Sequence, residues 1–228
     1  MKVLIVAKTH MGCLACVGGL TLDDNRNVRL LKPDAWNQPA STPYEIGDIW
    51  DLKVRPRCDI VPPHVEDVFV DSRRRIDRLD NVYGHLLSRV RLWQGGPEQL
   101  FDGVLRFTEQ GSGYISRTDR LPSGSVGFWI PSFDLVRVEQ EGRIRYRSLS
   151  GSIPLRIRHV GFRDAAPVLF QGTLLRVSLS RWWRPADGPG VEERCYLQLS
   201  GWYETLPTGE SARAAGRRTE QTRDRIPS

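Results

Sequence analysis

Apolar and polar positions change period several times along the chain, and those changes outline its elements. Residues 2–8 are apolar on both faces, the pattern of a buried central strand. Residues 16–22 and 27–32 read as two further strands joined by the Asp23-Asp24-Asn25-Arg26 turn, with Gly18-Gly19 marking a bulge or bend. Residues 46–55 alternate, placing Trp50, Leu52 and Val54 on one face. Pro62-Pro63 bars a central strand before a fifth resumes at residues 65–70. The period then becomes helical over residues 79–93, where Leu79, Val82, Leu86, Val90 and Trp93 share a stripe that Gly95-Gly96 ends. Pro97 opens a second short helix over residues 98–105, and the Gly- and Ser-rich residues 108–125 read as a loop.

Strand patterns return at residues 126–130, 133–139, 143–149, 153–159, 173–181 and 194–203, with room for a short helix in residues 160–172. Five strands with an insertion between the third and fourth is the pattern of an OB-fold, a small Greek-key barrel, and both halves fit it. The fold class is therefore mainly β: two tandem OB-like five-stranded barrels joined by a short helical linker. Residues 1–70 form the first barrel, 71–123 the connector, 124–203 the second barrel, and 204–228 a polar tail without apolar period.

The second barrel carries an unusual row of charge. In Arg143-Ile144-Arg145-Tyr146-Arg147 and Leu155-Arg156-Ile157-Arg158, alternation puts five arginines on one face of a hairpin turning at Ser150-Gly151-Ser152. Like charges across a strand pair destabilise it, so the row points to an anionic partner. The other reading is a solvated face whose arginines pair with Asp134, Glu139 or Glu141. Composition agrees with an anionic partner: net charge is +6, with −1 over residues 1–70 and +4 over residues 124–203, and only four of the 33 basic residues are Lys. Arginine favours bidentate phosphate contacts, although a GC-rich genome also raises its share.

Arg181-Trp182-Trp183-Arg184 opens the loop before the last strand, which Asp187-Gly188-Pro189-Gly190 closes. Between strands four and five of an OB barrel this is a ligand-contacting loop, where Trp stacks on bases and Arg holds phosphate. The same residues also suit a protein interface or a plug in the barrel end. The corresponding loop of the first barrel, from Arg55 through Arg57 to Asp59, is basic in a near-neutral half and better suited to protein contact. Arg29, isolated among apolar residues, faces a ligand or pairs with Glu66 or Asp67. Lys8 completes this set of candidate ligand residues.

His64 and Glu66 lie two apart on a strand and form a candidate acid–base pair. No nucleophile motif, phosphate-binding loop or zincin pattern accompanies them, so the chain reads as non-enzymatic. His10, Cys13 and Cys16 give one close ligand group without the second pair a structural zinc site needs, and no metal or cofactor is expected. No apolar run is long enough to span a membrane, and four cysteines without a secretory signal suit a reducing cytoplasm.

Three N-terminal segments carry a resemblance: Cys16-Val17-Gly18-Gly19-Leu20-Thr21-Leu22 with Asn27-Val28-Arg29-Leu30-Leu31, Ile46-Gly47-Asp48-Ile49-Trp50, and Pro62-Pro63-His64-Val65-Glu66-Asp67-Val68. Residues 177–183 and 195–202 add to it. Over residues 1–203 the chain resembles the bacterial dual OB domain family, tandem OB-fold proteins often found near defence and nucleic-acid-processing genes. The resemblance implies nucleic-acid or nucleotide binding within a multi-component bacterial system, and it supplies no catalytic residues. The expected partner is therefore nucleic acid, single-stranded by preference, held by the second barrel, with other proteins of the same operon as further partners. The alternatives are an adaptor that docks those proteins and a nucleotide-sensing or nucleotide-processing enzyme around His64 and Glu66.

Overall fold

The computed structural model describes residues 1–148, 154–184 and 192–204. The first barrel contains β1 (Lys2–Met11), β2 (Leu14–Thr21), β3 (Asn27–Leu31), the short β4 (Gln38–Pro39), β5 (Asp48–Pro56) and β6 (Asp67–Arg78). β1 pairs antiparallel with both β2 and β5, β2 with β3 and β5 with β6, and β3 runs parallel to β6, so the sheet closes on itself. Its strand order is that of an OB barrel, and alternation fills it with Val3, Ile5, Val17, Leu30, Trp50 and Leu52. A Cβ on Gly19 would meet Val3 Cγ1 at 2.2 Å, which is why β2 needs glycine there.

β6 continues well past the expected strand end at residue 70. Arg73, Arg74 and Arg75 therefore lie in its ladder with β5 rather than in the connector, and Arg75 pairs with Asp48 at 2.9 Å. The helix expected over residues 79–93 is shorter: α1 spans Val82–Arg89, capped by the Asn81 side chain. Its would-be last turn is the strand β7 (Leu92–Gly95), drawn into parallel pairing with the second barrel. The expected helix after Pro97 is a 3-10 segment, Pro97–Gly103, broken by non-helical backbone at Leu100, Phe101 and Asp102. The expected loop over 108–125 also contains structure. β8 (Arg106–Phe107) pairs with β9 (Gly113–Ser116), which joins the second sheet.

The second barrel comprises β10 (Val126–Pro131), β11 (Leu135–Gln140), β12 (Arg143–Ser148), β13 (Arg156–His159), β14 (Val168–Leu169), β15 (Leu174–Leu179) and β16 (Arg194–Tyr203). The pairing path runs β11-β12-β13-β16-β15-β10. β10 and β11, at its two ends, are consecutive in the chain, so they act as two halves of one broken first strand. β13 and β16 are parallel, repeating the third-to-fifth strand pairing of the first barrel. The stretch 160–172 holds β14 and irregular backbone instead of the expected short helix. The hairpin tip at Ser150-Gly151-Ser152, the loop end at residues 187–190 and the tail from residue 205 lie outside the described residues.

The barrels share a third core in which Leu4, Val6 and Leu20 meet Leu86 of α1 and Phe128, Leu174 and Tyr203 of the second barrel. Polar contacts extend the join. The His10 amide donates to the Val160 carbonyl at 2.8 Å, the Phe162 amide to that of Lys8 at 3.1 Å, and the Tyr203 hydroxyl to that of Val6 at 2.5 Å.

Candidate nucleic-acid interface

The hairpin forms in the register the alternation implies. Tyr146 and Ile157 point into the second core, and Arg145 stands directly opposite Arg158, with Arg147 opposite Arg156. Their neighbours are amides: Gln140 Oε1 accepts from Arg145 Nη1 at 3.3 Å and Arg156 Nη1 at 3.1 Å, and Gln110 Oε1 accepts from Arg156 Nη2 at 2.8 Å. Among the described residues no carboxylate lies within ion-pair distance of Arg143, Arg145, Arg147, Arg156 or Arg158. The acids that sequence proximity offered are used elsewhere or turned away. Glu139 pairs with Arg137 at 3.5 Å, Asp134 accepts the Gln171 amide at 2.8 Å, and Glu141 sits in the β11–β12 turn at φ 55°. Burial, with Arg143 and Arg145 adding repulsion, pushes the Arg158 pKa below its ordinary value.

The arginine face continues across the barrel. Tyr196, Gln198 and Ser200 of β16 and Arg176 and Ser178 of β15 line the same cleft as Arg143, Arg145, Arg156 and Arg158. The first barrel supplies the opposite wall, including Thr9, Gly18 and Arg29. The volume of this open cleft is about 600 Å³, within the range of small-molecule pockets. Glu66 clamps the walls together, its carboxylate accepting the Ser125 amide at 2.6 Å and the Ser125 hydroxyl at 2.7 Å.

The loop after β15 divides its two tryptophans. Trp182 packs against the second core, its indole N–H donates to the Pro62 carbonyl at 3.0 Å, and the Arg117 guanidinium lies 5.4 Å from its ring. Trp183 is 52% exposed at the cleft, 6.1 Å from Tyr196. Paired backbone hydrogen bonds with Arg194, at 3.0 and 2.9 Å, hold it there. Arg181 lines the cleft with Nη2 3.7 Å from Asp67, whereas Arg184 is exposed outside it.

A family model for the dual OB-containing domain matches residues 1–202. The chain belongs to that family. No curated protein matches it. Among solved structures, the one described as a murine DNA binding protein bound with ds DNA is 11% identical. It matches 87% of this chain and 91% of its own, with a TM-score of 0.31.

Most first-barrel candidates of this dual OB domain are engaged by other residues of the same chain. Lys8 is buried, donating to Glu45 at 2.8 Å and to the Thr42 carbonyl at 3.2 Å. Arg29 pairs through Nε with Asp67, the structural pairing of the two read from sequence. Arg57 spans Asp59 and Asp67, and Arg55 pairs with Asp71 at 3.0 Å. His64 lies just before β6 and is not on the strand. Its Nε2 is 3.7 Å from Cys195 Sγ. Burial lowers its pKa to about 4, with Arg29 and Arg181 adding to the effect. Its neighbour in the motif, Glu66, is engaged with Ser125. His10 stacks on Phe162 with ring centroids 3.9 Å apart.

Arg176 escaped the sequence reading. Its signal is there in retrospect: it is the one charge in the apolar run Leu174-Leu175-Arg176-Val177, where a strand buried on both faces excludes charge.

Proposed function

We propose that this dual OB domain is a non-enzymatic module that binds single-stranded nucleic acid through the outer face of its second barrel. The carrying observation is the hairpin face itself: five arginines, two directly opposed pairs, and no carboxylate partner among the described residues. Such a face is under standing repulsion, and each phosphate laid across it relieves that repulsion. Strands two and three of an OB barrel are the usual oligonucleotide face, and this hairpin occupies that position. Trp183 supports a single-stranded preference, because an exposed indole at the cleft stacks on a splayed base but not on a paired one. The engagement of Glu66 by Ser125 and the burial of His64 favour binding over turnover. The resemblance to bacterial tandem OB proteins favours a role within a multi-component bacterial system, defence among the candidates.

The test is a salt-titrated fluorescence polarisation assay with single- and double-stranded DNA and RNA. Arg145→Glu with Arg156→Glu is expected to weaken single-strand binding by about a hundredfold, the loss of two charge-assisted contacts. Unchanged binding overturns the reading.

A second reading, an adaptor docking other proteins of its operon, is favoured by Trp36 and Phe170, each 65% exposed. It predicts a protein partner recovered after nuclease treatment, together with no affinity of the isolated chain for nucleic acid.

A further inference from the structure

Arg176 is 5% exposed, yet its Nε has no hydrogen-bond partner, and no carboxylate pairs with its guanidinium among the described residues. Taking a guanidinium out of water without a counter-charge is strongly unfavourable unless something else supplies one. The fold holds this charge at the inner end of the cleft. Leu175 and Val177 turn into the second core, so Arg176 turns out toward the first barrel. There its Nη2 rests against Gly18, where a Cβ would stand 2.7 Å away. Gly18 is the direct cross-strand partner of Arg29, whose Nη2 is also buried without a partner among the described residues. The nearby acids are already engaged: Asp67 by Arg29, Arg57 and Arg181, and Glu66 by Ser125. Arg176, with no carboxylate partner, and Arg29, paired through Nε with Asp67 but with its Nη2 unpartnered among the described residues, thus line one cavity, whose lining also includes Trp183 and Tyr196.

We infer that this inner end of the cleft is a receptor for the terminal phosphate of a nucleotide, with Arg176 as its anchor and Arg29 as a second donor. A terminal phosphate fits better than an internal one. Arg176 itself is only 5% exposed, so a continuous strand would have to enter and leave its recess, whereas a strand end or a free mononucleotide needs only to enter. The cavity volume has room for a base as well as the phosphate, and aromatic rings line the same cavity further along the strands. This inference rests on the nucleic-acid reading and deepens it: the outer arginines hold the strand, and Arg176 reads its end.

The experiment uses the full chain and single-stranded oligonucleotides of one sequence ending in hydroxyl, 5′-phosphate or 3′-phosphate, together with a nucleoside monophosphate and its nucleoside. One phosphorylated end is expected to bind about tenfold tighter than the hydroxyl end, the effect of one charge-assisted contact pair. If the source is a free nucleotide, the monophosphate binds and the nucleoside does not. Arg176→Met should abolish either preference while retaining binding of the hydroxyl-ended strand. Gly18→Ala, which displaces the guanidinium without removing it, should reduce the preference and covers the case in which Arg176→Met does not fold. Equal binding of all ends by the wild-type chain with no monophosphate binding overturns the inference, as does a preference that survives Arg176→Met. Failure of the hydroxyl-ended strand to bind the wild-type chain is the separate failure of the outer-face reading.

Discussion

Tryptophans 182 and 183 are adjacent in sequence and have different tasks. Trp182 is tied to the second core and to Pro62, so Trp182→Ala should lower the thermal midpoint and loosen the join between barrels. Trp183 presents its ring to the cleft, so Trp183→Ala should leave the midpoint nearly unchanged and weaken single-strand binding by about 1–3 kcal/mol. Paired melting and polarisation measurements separate the two. Histidine gives a prediction of a different kind. His64 and His159 are both held by burial at a pKa of about 4, against an ordinary 6.5. Unfolded imidazoles therefore take protons that the folded ones refuse as pH falls from 6.5 to 4. Stability is full above that window and drops within it, by on the order of a few kcal/mol for the pair. Urea midpoints measured across the window check this, and the double variant His64→Gln/His159→Gln should flatten that part of the profile.

Elements were legible wherever one face alone decided them. The alternation of β12 and β13 gave the arginine face because Tyr146 and Ile157 can only turn inward, and Trp50 and Leu52 placed β5 in the same way. Elements whose identity depends on a distant neighbour were not legible. The stripe from Leu79 to Trp93 has helical period throughout, yet β10 offered an open edge and took Leu92–Gly95 as a strand. β6 runs on to Arg78 because β5 pairs with it along that length, a fact that the arginine run at residues 73–75 does not announce. The strand most exposed to such context is β15, with one face in the second core and the other against the first barrel. Leu174→Ala removes a side chain from the shared core and should cost about 2–5 kcal/mol, read by chemical denaturation.

For the whole molecule, the shared core makes the barrels one folding unit. Denaturation should follow a single transition by tryptophan fluorescence and by circular dichroism, with Leu174→Ala the variant most able to split it. Binding of single strands should weaken with salt by about 0.7 log units per log unit for each phosphate neutralised, and the slope should shrink when outer arginines are removed. Period and composition are local properties, and they already specified the two barrels, the strands that carry the arginines and the half that holds the positive charge. Tertiary structure alone decided that the arginine face looks into a cleft walled by the other barrel. It alone decided that Trp182 packs against the second core while the ring of Trp183 stays half-exposed at the cleft, and that Glu66 clamps the barrels together. It also left Arg176 buried without a counter-charge among the described residues. Each of these depends on which groups from distant parts of the chain come within hydrogen-bond or ion-pair reach, and no local pattern of residues encodes that.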